Sequence, residues 1–283
     1  MPLVIALLVV AVTLYVHLAV LGRSATSSVA GGVPISGGDV PSWLNGIPGT
    51  GGGARDTSAI WPPAPPDARA QPIGMPGASR SSSTDYVFMH TVTGVGGPPV
   101  AWDPCRPIHL LVNNAEAPPG ADQLVREAVA SVSSATGLKF VIEGITTEAP
   151  TERRAPLDRS RYGDRWSPVL VAWTDPSAVP DLQGRVAGLA GPSGAPYYTA
   201  DQQHWVSGTV SLDGPQFREI LQRPGGWASA RAIVMHEFAH LVGLNHVPAP
   251  SQLMYEDNVG QTGFGPGDLE GLRQLGLGRC FTA

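Results

Sequence analysis

Charge is sparse in this chain and nowhere runs in one sign. Only 14% of the 283 residues are Asp, Glu, Lys or Arg, and the formal net charge is −5. That pattern argues against a nucleic-acid-binding surface, which needs a basic stripe or patch. Lysine occurs once, at Lys139, among 18 basic residues, a bias that reflects base composition and carries no functional meaning. No stretch repeats itself along the chain, which sets aside a repeat architecture. Cysteine occurs twice, at Cys105 and Cys280, and histidine seven times. What the chain has in excess is glycine and proline, at 35 and 28 residues, so much of it cannot be regular helix or strand. Hydrophobic residues at 42% still provide for a sizeable core.

The N-terminal run 2–22, PLVIALLVVAVTLYVHLAVLG, has only His17 as an ionisable side chain. A bilayer-spanning helix needs about 20 apolar residues and a signal h-region about 7–15. Residues 1–23 are therefore read as an uncleaved transmembrane anchor in preference to a cleaved signal sequence. For the latter, Ser28-Val29-Ala30 offers a small-residue site. Residues 24–83 are rich in Gly, Pro, Ser and Ala and bury too little apolar surface to offset ordering entropy, so they read as a flexible tether. The tether has no cysteine and cannot mask a metal through a thiolate. Residues 84–283 form the globular unit. Cys105 lies near its start and Cys280 near its end. In an exported protein a single disulfide between them is the natural reading, with two unpaired buried thiols as the alternative. That export reading outweighs Arg23, whose charge alone favours a cytoplasmic side.

Within the unit, 106–113 reads as a strand. Residues 121–136 carry apolar residues at helical spacing, at Leu124, Val125, Ala128, Val129 and Val132. Strands are expected at 138–143, 168–174, 186–190 and 205–213, and a charged solvated loop at 150–167. A helix from about 228 and a short last helix over 267–274 complete the order. The expectation is an α/β (α+β) fold, with one mixed twisted sheet and helices packed on it.

The stretch HEFAHLVGLNH, 236–246, holds three of the seven histidines. His236 and His240 are four apart and share one helical face, so two imidazoles can reach one zinc ion. Glu237 is rotated about 100° from His236, too far round to be an ideal ligand but near enough to reach water on the metal. A continuing helix would carry His246 about 9 Å beyond His240 along the axis. The chain must therefore stop and return, and Gly243 permits that. Three neutral imidazoles with an open fourth position describe a catalytic zinc site. The full five-residue pattern arises by chance in on the order of one such sequence in 10,000.

This pattern, followed by Met254, resembles the metzincin clan of zinc endopeptidases. Leu253-Met254-Tyr255 and the segment 267–276, GDLEGLRQLG, are similar to the matrixin Met-turn and C-terminal helix. The resemblance implies a metzincin-like fold with an active-site helix and a C-terminal helix. It implies His236, His240 and His246 as ligands of one Zn²⁺, Glu237 as general base and proton donor, and Met254 as an apolar floor. Tyr255 is read as core or pocket wall, and Asp268 as a helix N-terminal carboxylate. Val247 stands where matrixins carry serine, and no PRCGxPD cysteine switch is present. His204, Asp175, Asp201 and Asp213 are the candidates for an additional structural Zn²⁺ or Ca²⁺, though solvated or packed polar roles fit them better.

The function expected is zinc-dependent endopeptidase activity outside the cytoplasm, on a peptide or protein substrate, through a Glu237-activated water on zinc. The enzyme is expected to be membrane-anchored or secreted. The resemblance further implies an extended substrate lying antiparallel to an edge strand, with 186–190 in that role. The alternatives are a tethered, non-catalytic zinc module, or a zinc peptidase acting on cell-wall or small peptides.

Overall fold

Among the described residues, six strands join in one mixed sheet. The computed structural model describes residues 61–78, 82–93, 96–152, 154–195, 203–257 and 259–281; the apolar run 2–22 and most of the tether lie outside them. The strands are β1 (Val87–Phe88), β2 (Ala101–Trp102), β3 (Ile108–Asn113), β4 (Phe140–Ile145), β5 (Val169–Thr174), β6 (Gly188–Gly194), β7 (His204–Asp213) and β8 (Leu244–Asn245). The helices are α1 (Ala121–Thr136), α2 (Arg159–Tyr162), α3 (Gly214–Leu221), α4 (Gly226–Val242) and α5 (Pro266–Leu275). Strands β4, β3, β5 and β7 run parallel in that order. Strand β2 lies parallel beside the start of β7, and β6 runs antiparallel along β7. Strands β1 and β8 form a separate ribbon. Among the described residues no helix is long and apolar enough to cross a membrane.

The sequence patterns account for this arrangement. The run VLVAWT has all six residues buried in β5, as a parallel strand covered on both faces requires. Helix α1 spans the residues its periodicity predicts, burying Leu124, Val125, Ala128 and Val132. Strand β4 begins two residues later than expected. The Leu138 carbonyl accepts the Ser133 hydroxyl, and the Leu138 N–H donates to the Thr136 hydroxyl, so this residue finishes the helix and does not open the strand.

Two expectations need correction. The segment 150–167 is not a simple solvated loop. The Arg154 side chain is 7% exposed and forks onto Glu148 at 2.8 and 3.2 Å. It also donates to the Ser207 hydroxyl on β7, and the Tyr162 hydroxyl donates to the same Glu148 carboxylate. Burial alone would raise the Glu148 carboxyl; its bonds from Arg154 and Tyr162 outweigh that and hold it below the usual range. Composition shows charge but not whether the charges are paired. Nor is the Gly/Pro/Ser-rich stretch 24–83 free along all of its length. Residues 61–78 lie along the globular unit: the Arg69 N–H donates to the Cys105 carbonyl, Ile73 to Pro104 and Gly77 to Ser134. The Trp61 ring meets Trp166 and His204 edge-on, with centroids 6.2 and 5.7 Å apart. The proline-rich WPPAPP loses little chain entropy on docking, so one aromatic anchor and a few backbone bonds suffice.

Cys105 and Cys280 form a disulfide, as expected, with Cα atoms 5.3 Å apart across 175 residues of chain. Such a bond is consistent with a secreted or extracellular protein. Asp103 sits beside it, accepting the N–H groups of Cys105 and Phe281 and pairing with Arg106 at 2.9 Å. The staple therefore joins both ends of the unit at the place where residues 69–73 dock. Replacing both cysteines by serine should cost about 3–5 kcal/mol of unfolding free energy, since the closed loop is long. Denaturant unfolding of the parent and the double variant checks this; coincident curves would remove the staple from the account.

Candidate active site

Helix α4 is apolar almost all round and lies in the core, so its ionisable groups stand out. Glu237 is 5% exposed and His240 8% exposed, and His236 is half-buried. The helix ends where the sequence requires. Gly243 takes φ 117°, a backbone conformation that a side chain strains, and its N–H donates to the carbonyls of Ala239 and His240. Its carbonyl accepts from the Met89 N–H at 2.8 Å. Leu244 and Asn245 then pair with β1, and the chain delivers His246 back to the helix.

The three imidazoles converge. His246 Nε2 lies 3.1 Å from both His236 Nε2 and His240 Nε2. Tetrahedral ligands about 2.0–2.1 Å from a zinc ion lie roughly 3.3 Å apart, so this spacing fits one ion. The other ring nitrogens fix the tautomers. His236 Nδ1 donates to the Leu253 carbonyl at 2.7 Å, and His240 Nδ1 donates to the Leu244 carbonyl at 2.8 Å. A carbonyl can only accept, so both Nε2 atoms present lone pairs to the same point. His246 can donate to one of them at most. A cation satisfies all three. Burial holds the imidazoles neutral, pushing His236 down to about 4 and His240 to about 3, and it lowers His246 as well. Neutral imidazole is the form that binds metal. The donor set thus fits a single metal ion.

Glu237 projects from the same helix without joining the cluster. Burial pushes its carboxyl up to about 8. A divalent cation beside it acts in the opposite direction. Strand β6 closes over it: a Cβ built on Gly188 would stand 2.8 Å from Glu237 Oε1.

The loop after His246 packs inward. Met254 is 1% exposed, and its carbonyl accepts the Val247 N–H at 3.0 Å. Val247 is itself buried, so this position contributes packing. Asp268, fully buried at the start of α5, accepts from the N–H groups of Gly265 and Leu253 at 2.9 and 2.6 Å and from Met254 at 3.4 Å. Gln252 returns the arrangement by accepting from Gly267 and Asp268. Asp268 is the helix-terminal carboxylate expected, but it also ties α5 to the methionine turn. Tyr255 is half-buried beside that turn. The described candidates for a second ion each have other partners. Asp175 caps Ser177 and Ala178, Asp213 caps α3 through Gln216, and His204 stacks on Phe281 at 3.7 Å. Asp201 lies outside the described residues. The Leu244 and Leu253 carbonyls are not visible in the sequence, because backbone groups leave no residue signature. The strand expected over 186–190 runs instead over Gly188–Gly194.

No family profile matches the chain, and no curated protein matches it in sequence. Among solved structures, the chain is similar to the GM1-bound form of the ECX AB5 holotoxin. That match has 13% identity and a TM-score of 0.37, covering 73% of this chain and 88% of the other. It is also similar to High choriolytic enzyme 1, a hatching-enzyme zinc protease from the Medaka fish Oryzias latipes. Here identity is 12% and the TM-score 0.31, covering 60% of this chain and 90% of the other. Likeness at this level is weak, and the chemistry of the site has to come from its own atoms.

Gly243→Ala is expected to lower stability by about 1–2 kcal/mol, because a side chain is forced into left-handed backbone. By shifting His246 it should also weaken metal binding by about 10–100-fold, the range seen when orienting contacts are lost. Chelator competition and thermal unfolding on the same samples test both effects.

Proposed function

We propose that the protein is a zinc-dependent endopeptidase, matrixin-like in its motif, acting on peptide bonds outside the cytoplasm. The observation that carries this is the convergence of three imidazole Nε2 atoms, two with tautomers fixed by carbonyls, with the buried Glu237 next to His236 on the same helix. His236, His240 and His246 hold the ion. Zinc supplies Lewis acidity toward the scissile carbonyl and makes water a nucleophile near neutral pH. Glu237 takes the proton from the attacking water and returns it to the departing nitrogen. A metal module without catalysis has no use for a buried carboxylate at that place, since burying it carries a desolvation cost.

The substrate is an extended peptide. Strand β6 pairs only with β7 among the described residues, so one of its edges is open. The Asp213 N–H donates to the Ala187 carbonyl, which places Ala187 and Leu189 inward. By alternation Gly188 and Ala190 turn their N–H and C=O groups outward. Pro192 adds a carbonyl but no donor, so the ladder offered to substrate is short. This edge serves strand addition, with the bond to be cut set against Glu237. In this reading 84–283 is the peptidase domain, 24–83 is its tether, part of it docked, and 1–23 anchors the chain in a membrane or directs its export.

The purified protein should hold about one zinc per chain and cleave members of a peptide library, with chelation abolishing cleavage. Glu237→Ala should keep the metal and lower kcat/KM by about 10²–10⁴-fold. Cleavage by that variant at the parent rate would overturn the mechanism, and a failure of His236→Ala to weaken zinc binding would overturn the ligand set.

A further inference from the structure

We propose that Gly188 is a positioning residue for Glu237, and that its lack of a side chain sets where the catalytic carboxylate stands. This rests on the peptidase reading above and adds a residue outside its motif. A Cβ at position 188 would lie 2.6 Å from Glu237 Cγ and 2.8 Å from both Cδ and Oε1. No other atom ranks among the three nearest, so the strand there faces the carboxylate and nothing else as closely. The backbone of Gly188 needs no positive φ, so glycine is not there for conformational freedom. The pairing of Gly188 with Leu212 is ordinary antiparallel strand.

The energetic consequence is asymmetric. Real side chains essentially never approach at 2.6 Å, so something must move when a methyl is added. The β6 backbone is held along its length by β7 and the α4 backbone by its own ladder. The Glu237 side chain is the soft partner, with rotatable bonds that can swing its carboxylate aside. The fold therefore tolerates the methyl, while the proton-transferring group loses its place. Displacement of a catalytic group by about 1 Å costs on the order of 100-fold in rate. The imidazoles are untouched, because they are positioned by the Leu244 and Leu253 carbonyls and none of their atoms is among the closest neighbours of position 188. Strand β6 thus does two jobs at one residue: Gly188 turns its peptide groups outward to substrate and its empty face toward Glu237.

The test is a double-mutant cycle on the full chain, with Gly188→Ala, Glu237→Ala and the pair. Gly188→Ala should keep about one zinc per chain with unchanged chelator competition. Its KM should stay within about twofold of the parent and its kcat should fall about 10–100-fold. In the Glu237→Ala background the same methyl fits the space left by the shortened side chain, so the pair should turn over no more slowly than Glu237→Ala alone. Thermal midpoints should follow: a small loss from Gly188→Ala with Glu237 present, none in its absence. An unchanged kcat for Gly188→Ala overturns the proposal, as does an equal proportional loss in both backgrounds. If Gly188→Ala does not fold, the pair decides: a folded pair upholds the contact, and an unfolded pair shows that the strand needs glycine for another reason. Absence of any cleavage by the zinc-loaded parent would instead defeat the peptidase reading, and the thermal cycle would still report on Gly188 and Glu237.

Discussion

One hydrogen bond at a helix end organises the centre of this molecule: His240 Nδ1 to the Leu244 carbonyl, at 2.8 Å. It forms only because α4 stops at Gly243. In a continuing helix the Leu244 carbonyl would point along the axis, and the His240 ring would find no acceptor there. The stop also frees the Gly243 carbonyl for Met89 and lets Leu244 and Asn245 pair with β1. The same turn brings His246 to the histidine pair. A single left-handed residue thus supplies a tautomer lock, a ribbon and the third imidazole of the cluster. The strain of such a conformation is negligible for glycine and large for anything else.

The other histidine depends on a longer chain of contacts. His236 donates to the Leu253 carbonyl, while the Leu253 N–H donates to Asp268. Asp268 is buried at the head of α5, where three backbone donors converge on it. Burial raises its carboxyl against the pull of those donors, so the group sits in a balance of large opposing effects. A buried carboxylate of this kind is tolerated when its oxygens are satisfied, and it then fixes geometry more firmly than an apolar contact does. The C-terminal helix consequently acts on the site without touching it: it holds the peptide that holds the imidazole.

How much of this was legible in the sequence follows from what side chains announce. The ligand spacing, the glycine stop, the buried methionine and helix α1 all have residue-level signatures, through periodicity or through glycine's special backbone. The disulfide was legible because only two cysteines exist and they bracket the unit. The segment 150–167 was misread because charge composition is the same whether Arg154 is solvated or clasped by Glu148. The docked residues 61–78 were misread for a related reason: prolines mark an absence of helix and strand, and they say nothing about whether an extended segment finds a surface. The short ribbon of β1 and β8 consists of two residues on each side, below the length at which alternation can be seen.

The deeper difficulty concerns Glu237, and it explains why a strand so poor in side chains lies over it. An apolar helix buried in a core strengthens every electrostatic interaction at the site, because little water is present to screen it. The same burial penalises charge on these groups, as the raised Glu237 and lowered histidines show. A cation at the cluster would offset the penalty for both kinds of group at once: it would take the three lone pairs, and its charge would favour the ionised form of a carboxylate on the same helix. What the cation cannot do is hold that carboxylate in place, because Glu237 is not one of its ligands. That constraint has to come from packing. The packing surface at hand is β6, which pairs with β7 alone among the described residues. A strand that crowds a carboxylate with one face while offering its backbone sideways cannot carry a side chain at the point of closest approach, and at that point the chain has Gly188.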